Sequence, residues 1–441
     1  MIEIESMGVP AVPIISGRFE GDAIASSRAY GMPELEFVIV PRIYRNLSPE
    51  ESLKNTEPAF DDLVQRLTSP ADVHVQTEAG VVDGVDRFEG EDRFDAVVRM
   101  NEEYLQQDWG DGFPLMPATR SVVDELLAGT SLPPDHVVCD MPPGFGIATV
   151  EQIAINAAAA GARPEQMPVI IAAVKGLSLL GGKGGKALLM STSPHAPLLV
   201  ANGPIARELH INPRSGLGPG FDNRTNIVIG RAFSLCLRNI GHWYPNKMDM
   251  DTIGTTRKFV MCIAENEEMS PWAPYHVDKG FNPDESTVSV FITDGEVDVG
   301  DQGNDTAEGL LKTLAYGATF GHRGLGERHT AEKLILMPPD VAGPVGAQGF
   351  TKRGAQEFIH MHANDSLGKM IQYMPLNDAR VAAHWKWLED LTEKERLEAI
   401  APVLEGPDRY EILVVGADRA KTLIMPTGPS SVTVGVDQYR P

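Results

Sequence analysis

Between residues 194 and 276, amides, carboxylates and aromatic rings stand at the ends of apolar runs. A small-molecule pocket needs that combination, because a few fixed hydrogen-bonding groups on a hydrophobic wall orient a ligand. The strings are NGP (202–204), DNRTN (222–226), RNIGHW (238–243), KMDMD (247–251) and CIAENEEMSPWAPYH (262–276). They supply Asn202, Asn223, Arg224, Asn226, Asn239, Asn266 and Trp272 as candidate substrate-binding residues. Glu265 follows a strand read through Cys262, Ile263 and Ala264, so it stands where open α/β sheets place ligands and is a candidate general base. His276 is the best titrating candidate, in a proline-spaced loop with Trp272 able to cover the pocket, and Cys262 completes the catalytic set. A competing reading makes Asn and Gly turn formers, with Asn239 and Gly241 closing a helix and 265–268 forming a solvated acidic turn. For any single residue that reading is favoured, and for the cluster as a whole a site is.

Other chemistries are less well supported. Glu265, Glu267 and His276 form an alternative set, ligands of a divalent metal in a lyase or hydrolase, and no other cofactor is read. His360 and His362 are two apart on an expected helix and point in different directions. His322 and His329 belong to GHRGLGERH, which reads as a solvated loop. GGKGGKALLMST (181–192) lacks the glycine spacing and the Ser/Thr of a phosphate loop, and GLGPGF (216–221) lacks the third glycine of a dinucleotide fingerprint. The hydrolase elbow GxSxG and the zinc motif HExxH are absent. Cys139, Cys236 and Cys262 are too dispersed for a disulfide framework or a thiolate metal site and read as small buried hydrophobes.

Periodicity gives the elements that must position these residues. Residues 1–7 read as the end of an amphipathic helix, 11–15 as a strand, 22–31 as a helix and 35–41 as a strand. A helix follows over 47–68, with Ser48 as N-cap, Pro49 at its first position and Glu51 completing a capping box. This is a βαβα half-unit whose first strand and helix start are expected on another chain. Residues 69–96 are acidic and aperiodic. DWGDGFPLMPAT (108–119) is a turn-dense loop, and helices are expected at 120–128, 147–162, 167–180 and 223–241. Strands are expected at 196–202, 257–265 and 287–293. The last third alternates again: helices near 306–316 and at 350–363, a helix pair through 376–404, and strands at 334–337, 411–415 and 421–425. Alternation predicts a multidomain α/β fold with mostly parallel sheets covered by helices. The divisions are 1–68, a connector at 69–100, a pocket-bearing domain at 101–300 and a carboxyl-terminal α/β domain at 301–441.

A length of 441 residues, 42% hydrophobic and 22% charged, suits a globular protein with a large core. The net charge of -23 repels nucleic acid and anionic lipid, so neither is an expected partner. No apolar run reaches the roughly 18 residues of a membrane span. Met1 leads into IEIESMGVP with no signal pattern, and the expected location is the cytoplasm.

IEIESMGVPAVPIIS, SRAYGMPELEFVIVPRIYRNLSPEE and the helix after them resemble the carboxyl-terminal part of the UGSC-type (seleno)protein domain, and more distantly the selenoprotein B subunit of glycine and betaine reductases. DGFPLMPAT, ATVEQIAINAAAAGARPE, APLLVANGPIARELHIN, RNIG and FVMCIAENEEMSPWAPYHV resemble a DGxPxxPPT-type domain associated with it. The carboxyl-terminal ILVVGADRAKTLIMPTGPSSVTVGV resembles the final segment of the same group. The resemblance implies thiol or selenol chemistry on a small molecule, a reductase or lyase step at a carbon–heteroatom bond. The family's redox motif, Sec or Cys followed by Gly-Ser/Thr-Cys, is absent here. The expectation is therefore a hetero-oligomer in which a smaller subunit carries the redox cysteines and this chain supplies a pocket from 202–276.

Overall fold

The computed structural model describes residues 9–17, 35–40, 48–68, 85–180, 187–245, 247–320, 331–371, 383–428 and 431–441, with isolated positions at 20, 23–24, 27 and 325. The helix expected at 1–7, most of that at 22–31, the GGKGGK string, the loop with His322 and His329, and the start of the 376–404 pair lie outside them.

At the amino end, β1 (Ile14–Ser16) pairs in parallel with β2 (Val38–Val40), Ile15 facing Ile39. Val38 and Val40 are buried, while Ile39 and Ile14, the register partner of Val38, are exposed. The capping box forms as expected: Glu51 N–H donates to Ser48 Oγ at 3.2 Å and Ser48 N–H donates to Glu51 Oε2 at 2.9 Å. The single helix expected over 47–68 is two, α1 (Pro49–Thr56) and α2 (Phe60–Thr68), because Pro58 within the 3₁₀ turn between them has no N–H to continue the ladder.

Past the connector the chain enters α3 (Arg93–Gln106), capped by Asp92, then α4 (Arg120–Leu127). An antiparallel hairpin follows, β3 (Val137–Met141) and β4 (Gly146–Thr149), which periodicity does not predict. Thr149 then opens α5 (Val150–Ala160) with a capping box, and Gly161 closes it at φ 78°. α6 (Met167–Leu179) is apolar almost all round and buried, as a helix with no polar face must be.

In order after these come β5 (Ala196–Asn202), α7 (Pro204–Glu208), α8 (Arg224–Asn239), β6 (Cys262–Ala264), α9 (Tyr275–Asp278), β7 (Thr287–Thr293) and β8 (Val297–Gly300). The chain continues through α10 (Ala307–Ala318), β9 (Glu332–Met337), α11 (Pro339–Ala347), α12 (Lys352–His362) and β10 (Asn364–Ser366). It ends with β11 (Ile400–Pro402), β12 (Tyr410–Val414), β13 (Lys421–Thr427) and β14 (Val432–Gly435).

Eight of these strands make one mixed sheet, in the order β12-β9-β13-β7-β5-β6 with β8 on β13 and β14 on β7, and helices pack around it. The fold is multidomain α/β as expected, but its sheet is not mostly parallel. Only β12 with β9 and β5 with β6 run parallel; the other pairings in it are antiparallel. The short link from β12 to β13 reverses the chain, so β13 runs against β9, the parallel neighbour of β12, while β7 and β8 follow one another in the same direction along β13.

Both faces of the sheet are buried. Leu199, Ala201, Val288, Val290 and Ile292 face a core with α5, α6 and α8, and Ile335, Met337, Ile412 and Ile424 face a second core under α10, α11 and α12. The residues between them in register, including Val200, Phe291, Leu334, Leu413 and Met425, form a third cluster that also takes in Ile263 and Tyr275. The sheet curls enough to join its two ends, because Asn266, just past β6, donates its N–H to the Val414 carbonyl of β12 at 2.8 Å. Strands from both sides of residue 300 thus share one sheet.

Candidate functional site

β5 and β6 run side by side, with Val200 opposite Ile263 and Ala201 opposite Ala264, and both deliver a polar residue at their carboxyl ends. Asn202 ends β5, Glu265 follows β6, and each side chain is buried. Asn202 Nδ2 donates to Glu265 Oε2 at 2.5 Å and to Glu267 Oε1 at 3.0 Å. Tyr275 N–H, at the start of α9, gives Glu265 Oε2 a second donor at 2.7 Å. Glu267 Oε1 also accepts the Gly203 N–H at 2.7 Å, and its Oε2 lies 3.3 Å from Arg207 Nη1 at the surface. Gly203 holds φ 78°, and a β-carbon there would stand 2.2 Å from the Glu285 carbonyl oxygen, so only glycine fits between β5 and α7.

His276 joins the group from α9, fully buried. Its Nε2 donates to the Asn282 carbonyl at 3.1 Å, which leaves Nδ1 as the acceptor nitrogen, 3.9 Å from Glu267 Oε1. Three buried acceptors, Asn202 Oδ1, Glu265 Oε1 and His276 Nδ1, have no hydrogen-bond partner among the described residues. Buried polar atoms are nearly always paired, and exceptions concentrate where a group has a job beyond folding.

Burial pushes the Glu265 carboxyl up to about 7, against the pull of the Lys352 cation and of the Tyr275 and Asn202 hydrogen bonds, with the neighbouring Glu267 adding to the rise. A carboxyl raised toward neutrality can give or take a proton during a reaction.

Sequence reading finds part of this group. The structure brings Asn202, Glu265 and His276 together with Glu267, and Asn266 lies beside them. Asn266 serves the sheet, its Nδ2 reaching the Gly416 carbonyl at 3.3 Å. The other candidates lie elsewhere and their amides are spent on loops. Asn223 Nδ2 donates to the Gly216 carbonyl at 2.7 Å, and Asn226 clasps the backbone of Asn212 from both sides. Asn239 Oδ1 accepts from Gly110 N–H at 3.1 Å and from Tyr244 Oη at 2.7 Å. Arg224 is exposed beside a separate small recess with Arg163 and His210. Trp272 donates Nε1 to the Phe350 carbonyl at 2.8 Å and walls a cleft on the far side of the 270–275 segment.

Two expectations need correction. Cys262 is fully buried in the core beneath α8, where burial drives its thiol up to about 12, so it packs and does not supply a thiolate. The alternative metal set does not form a centre: no group of three His, Cys, Asp or Glu among the described residues is placed to hold an ion. Glu265 Oε2 and Glu267 Oε1 already take two donors each, and His276 Nε2 turns away to Asn282. Sequence reading missed Gly203, the Tyr275 N–H and Lys352. The first is signalled only by its place in NGP, the second is backbone, and the third lies far along the chain.

Among the described residues no helix is long and apolar enough to cross a membrane. In comparison with known proteins, residues 1–69 match the UGSC family. No curated protein matches the chain.

Proposed function

We propose that this chain is the acid–base and substrate-holding subunit of a thiol-dependent enzyme, one that makes or breaks a carbon–heteroatom bond on a small molecule, and that another polypeptide supplies the thiol. The observation that carries the acid–base part is Glu265: a buried carboxyl at the carboxyl ends of two adjacent parallel strands, raised toward neutrality and with one oxygen unpaired among the described residues. In this reading Glu265 moves the proton that accompanies bond cleavage, and Asn202 and the Tyr275 N–H stabilise its ionised form.

Thiol chemistry enters from the UGSC match at the amino end. The chain's own cysteines do not suit it. All three are buried, and burial raises Cys139 to about 11, Cys262 to about 12 and Cys236 further still. An attacking thiolate must then come from elsewhere. Among the described residues β1 and β2 pair only with each other, which leaves edges a partner strand can use.

Native purification tests this. Co-purifying chains are identified by mass spectrometry after brief iodoacetamide treatment of the folded complex. The expected result is a smaller polypeptide with an alkylated cysteine, no alkylation of Cys139, Cys236 or Cys262, and turnover only in the joined complex. Glu265→Gln is expected to assemble normally and to lose turnover by roughly a hundredfold or more, the scale of a lost general acid or base. Full turnover by the chain alone overturns the reading.

A further inference from the structure

A cleft of about 480 Å³ opens between the 271–278 segment and the junction of α11 and α12, within the roughly 300–1,000 Å³ that small-molecule sites occupy. Its walls differ in kind. One is flat and apolar: the Trp272 indole is pinned by its bond to the Phe350 carbonyl, and the Phe350 ring packs edge-on to Phe358 with centroids 5.7 Å apart. The other is charged, with Lys352 paired to Asp278 and Arg353 paired to Glu357 at 3.0 Å.

Lys352 is the organised cation. Its side chain is 11% exposed, and Nζ donates to the Ala273 carbonyl at 2.8 Å and to Asp278 Oδ2 at 2.5 Å. Asp278, at the end of the short α9, is 42% exposed, so solvent can take the place of Lys352 as its partner. The lysine is fixed while its counterion is replaceable. Asp278 already shows a carboxylate seated on Lys352, so the geometry that a ligand carboxylate would adopt is present in the fold.

We propose that this cleft binds an organic acid with a flat apolar body, its carboxylate displacing Asp278 from Lys352 and its body lying along the Trp272 indole. The cleft shares two parts with the buried carboxyl group. The 271–278 segment carries the Tyr275 N–H to Glu265, and Lys352 is the cation that most favours the ionised Glu265. Binding in the cleft does not rest on the acid–base reading of Glu265.

Titration calorimetry on the full chain tests the site, with benzoate as the probe and benzyl alcohol, acetate and inorganic phosphate as controls. Benzoate is expected to bind saturably, acetate more weakly for want of a body, and benzyl alcohol and phosphate not at all. Lys352→Met is expected to weaken benzoate roughly tenfold or more, and Asp278→Asn to tighten it several-fold by removing the internal competitor. Arg353→Glu, at an exposed position of α12 whose native partner is Glu357, is also expected to weaken benzoate. Absence of saturable binding in both the native chain and Asp278→Asn overturns the site, as does benzoate binding unchanged in both Lys352→Met and Arg353→Glu. Glu265→Gln separates the two readings, because it is expected to keep benzoate binding. If that variant binds benzoate and also turns over normally, the acid–base reading falls and the cleft stands.

Discussion

A carboxyl group buried in a fold ionises only to the extent that protein dipoles replace the water it has lost, and around Glu265 the replacement is partial. Oε2 receives two donors and Oε1 none among the described residues. The sign of the resulting pH effect follows from linkage. Unfolded, the group titrates near 4.5; folded, near 7. Between those values the folded state holds more protons than the unfolded one, so the contribution of Glu265 to stability is full below about 4.5 and is lost as pH rises toward 7. The loss is on the order of 3 kcal/mol at most. Glu265→Gln keeps the shape of the protonated acid and cannot ionise. Its urea unfolding free energy is expected to match the native protein at pH 4.5 and to exceed it by about 1–3 kcal/mol at pH 8. Equal stability of the two proteins at both pH values would show that Glu265 ionises as an ordinary carboxylate.

Elements hold such a residue only if they can approach closely, and α8 approaches the start of β6 through a glycine. A β-carbon on Gly230 would lie 2.3 Å from the Val260 carbonyl oxygen and 2.7 Å from Met261 Cα, both backbone atoms that cannot rotate away. Gly230→Ala should gain about 1 kcal/mol of helix propensity and lose more to the clash, for a net destabilisation of roughly 1–3 kcal/mol measured by thermal unfolding. The strand leading to Glu265 would shift with it. α8 itself was legible, because Ile229, Phe233, Cys236 and Leu237 recur at helical spacing and are buried. β5 and β7 were legible too, as short apolar runs that turn out to be covered on both faces. The β3–β4 hairpin was not, since its strands carry no alternation and a proline pair separates them. In the candidate site, sequence reading placed Asn202 and Glu265 through their strand ends and His276 through its loop. It could not tell those residues from Asn223, Asn226 and Asn239, because an amide that clasps a loop and one that faces a carboxylate have the same local sequence appearance. Lys352 was beyond reach because only the curled sheet and the packing of α12 bring it near Glu265.

The whole molecule imposes one further condition on the site, since the sheet that bears it is assembled from distant parts of the chain. β13 lies between β9 and β7, and β14 shares with it the edge of β7 away from β5, with Val432 opposite Val290 and Val434 opposite Val288. Val434 and Val436 are buried in the same core as α5, α6 and α8, although more than a hundred residues separate them from those helices. A division at residue 300, natural from the alternation of elements, therefore cuts through a continuous sheet. A fragment of residues 101–300 would keep β5, β6 and β7 but lose both neighbours that flank β7 beyond β5. All seven residues of β7 are buried in the intact protein, so the fragment would present an apolar, unpaired strand to solvent. It is expected to aggregate or to lack fixed tertiary structure, with a flat near-ultraviolet circular dichroism spectrum and rapid proteolysis. Co-expression with residues 301–441 as a separate chain is expected to restore both the spectrum and protection, because β13 and β14 can then pair in trans. Cooperative unfolding of the 101–300 fragment alone, at a midpoint near that of the intact protein, would mean that β7 does not need its carboxyl-terminal neighbours and that the pocket-bearing region is an independent domain after all.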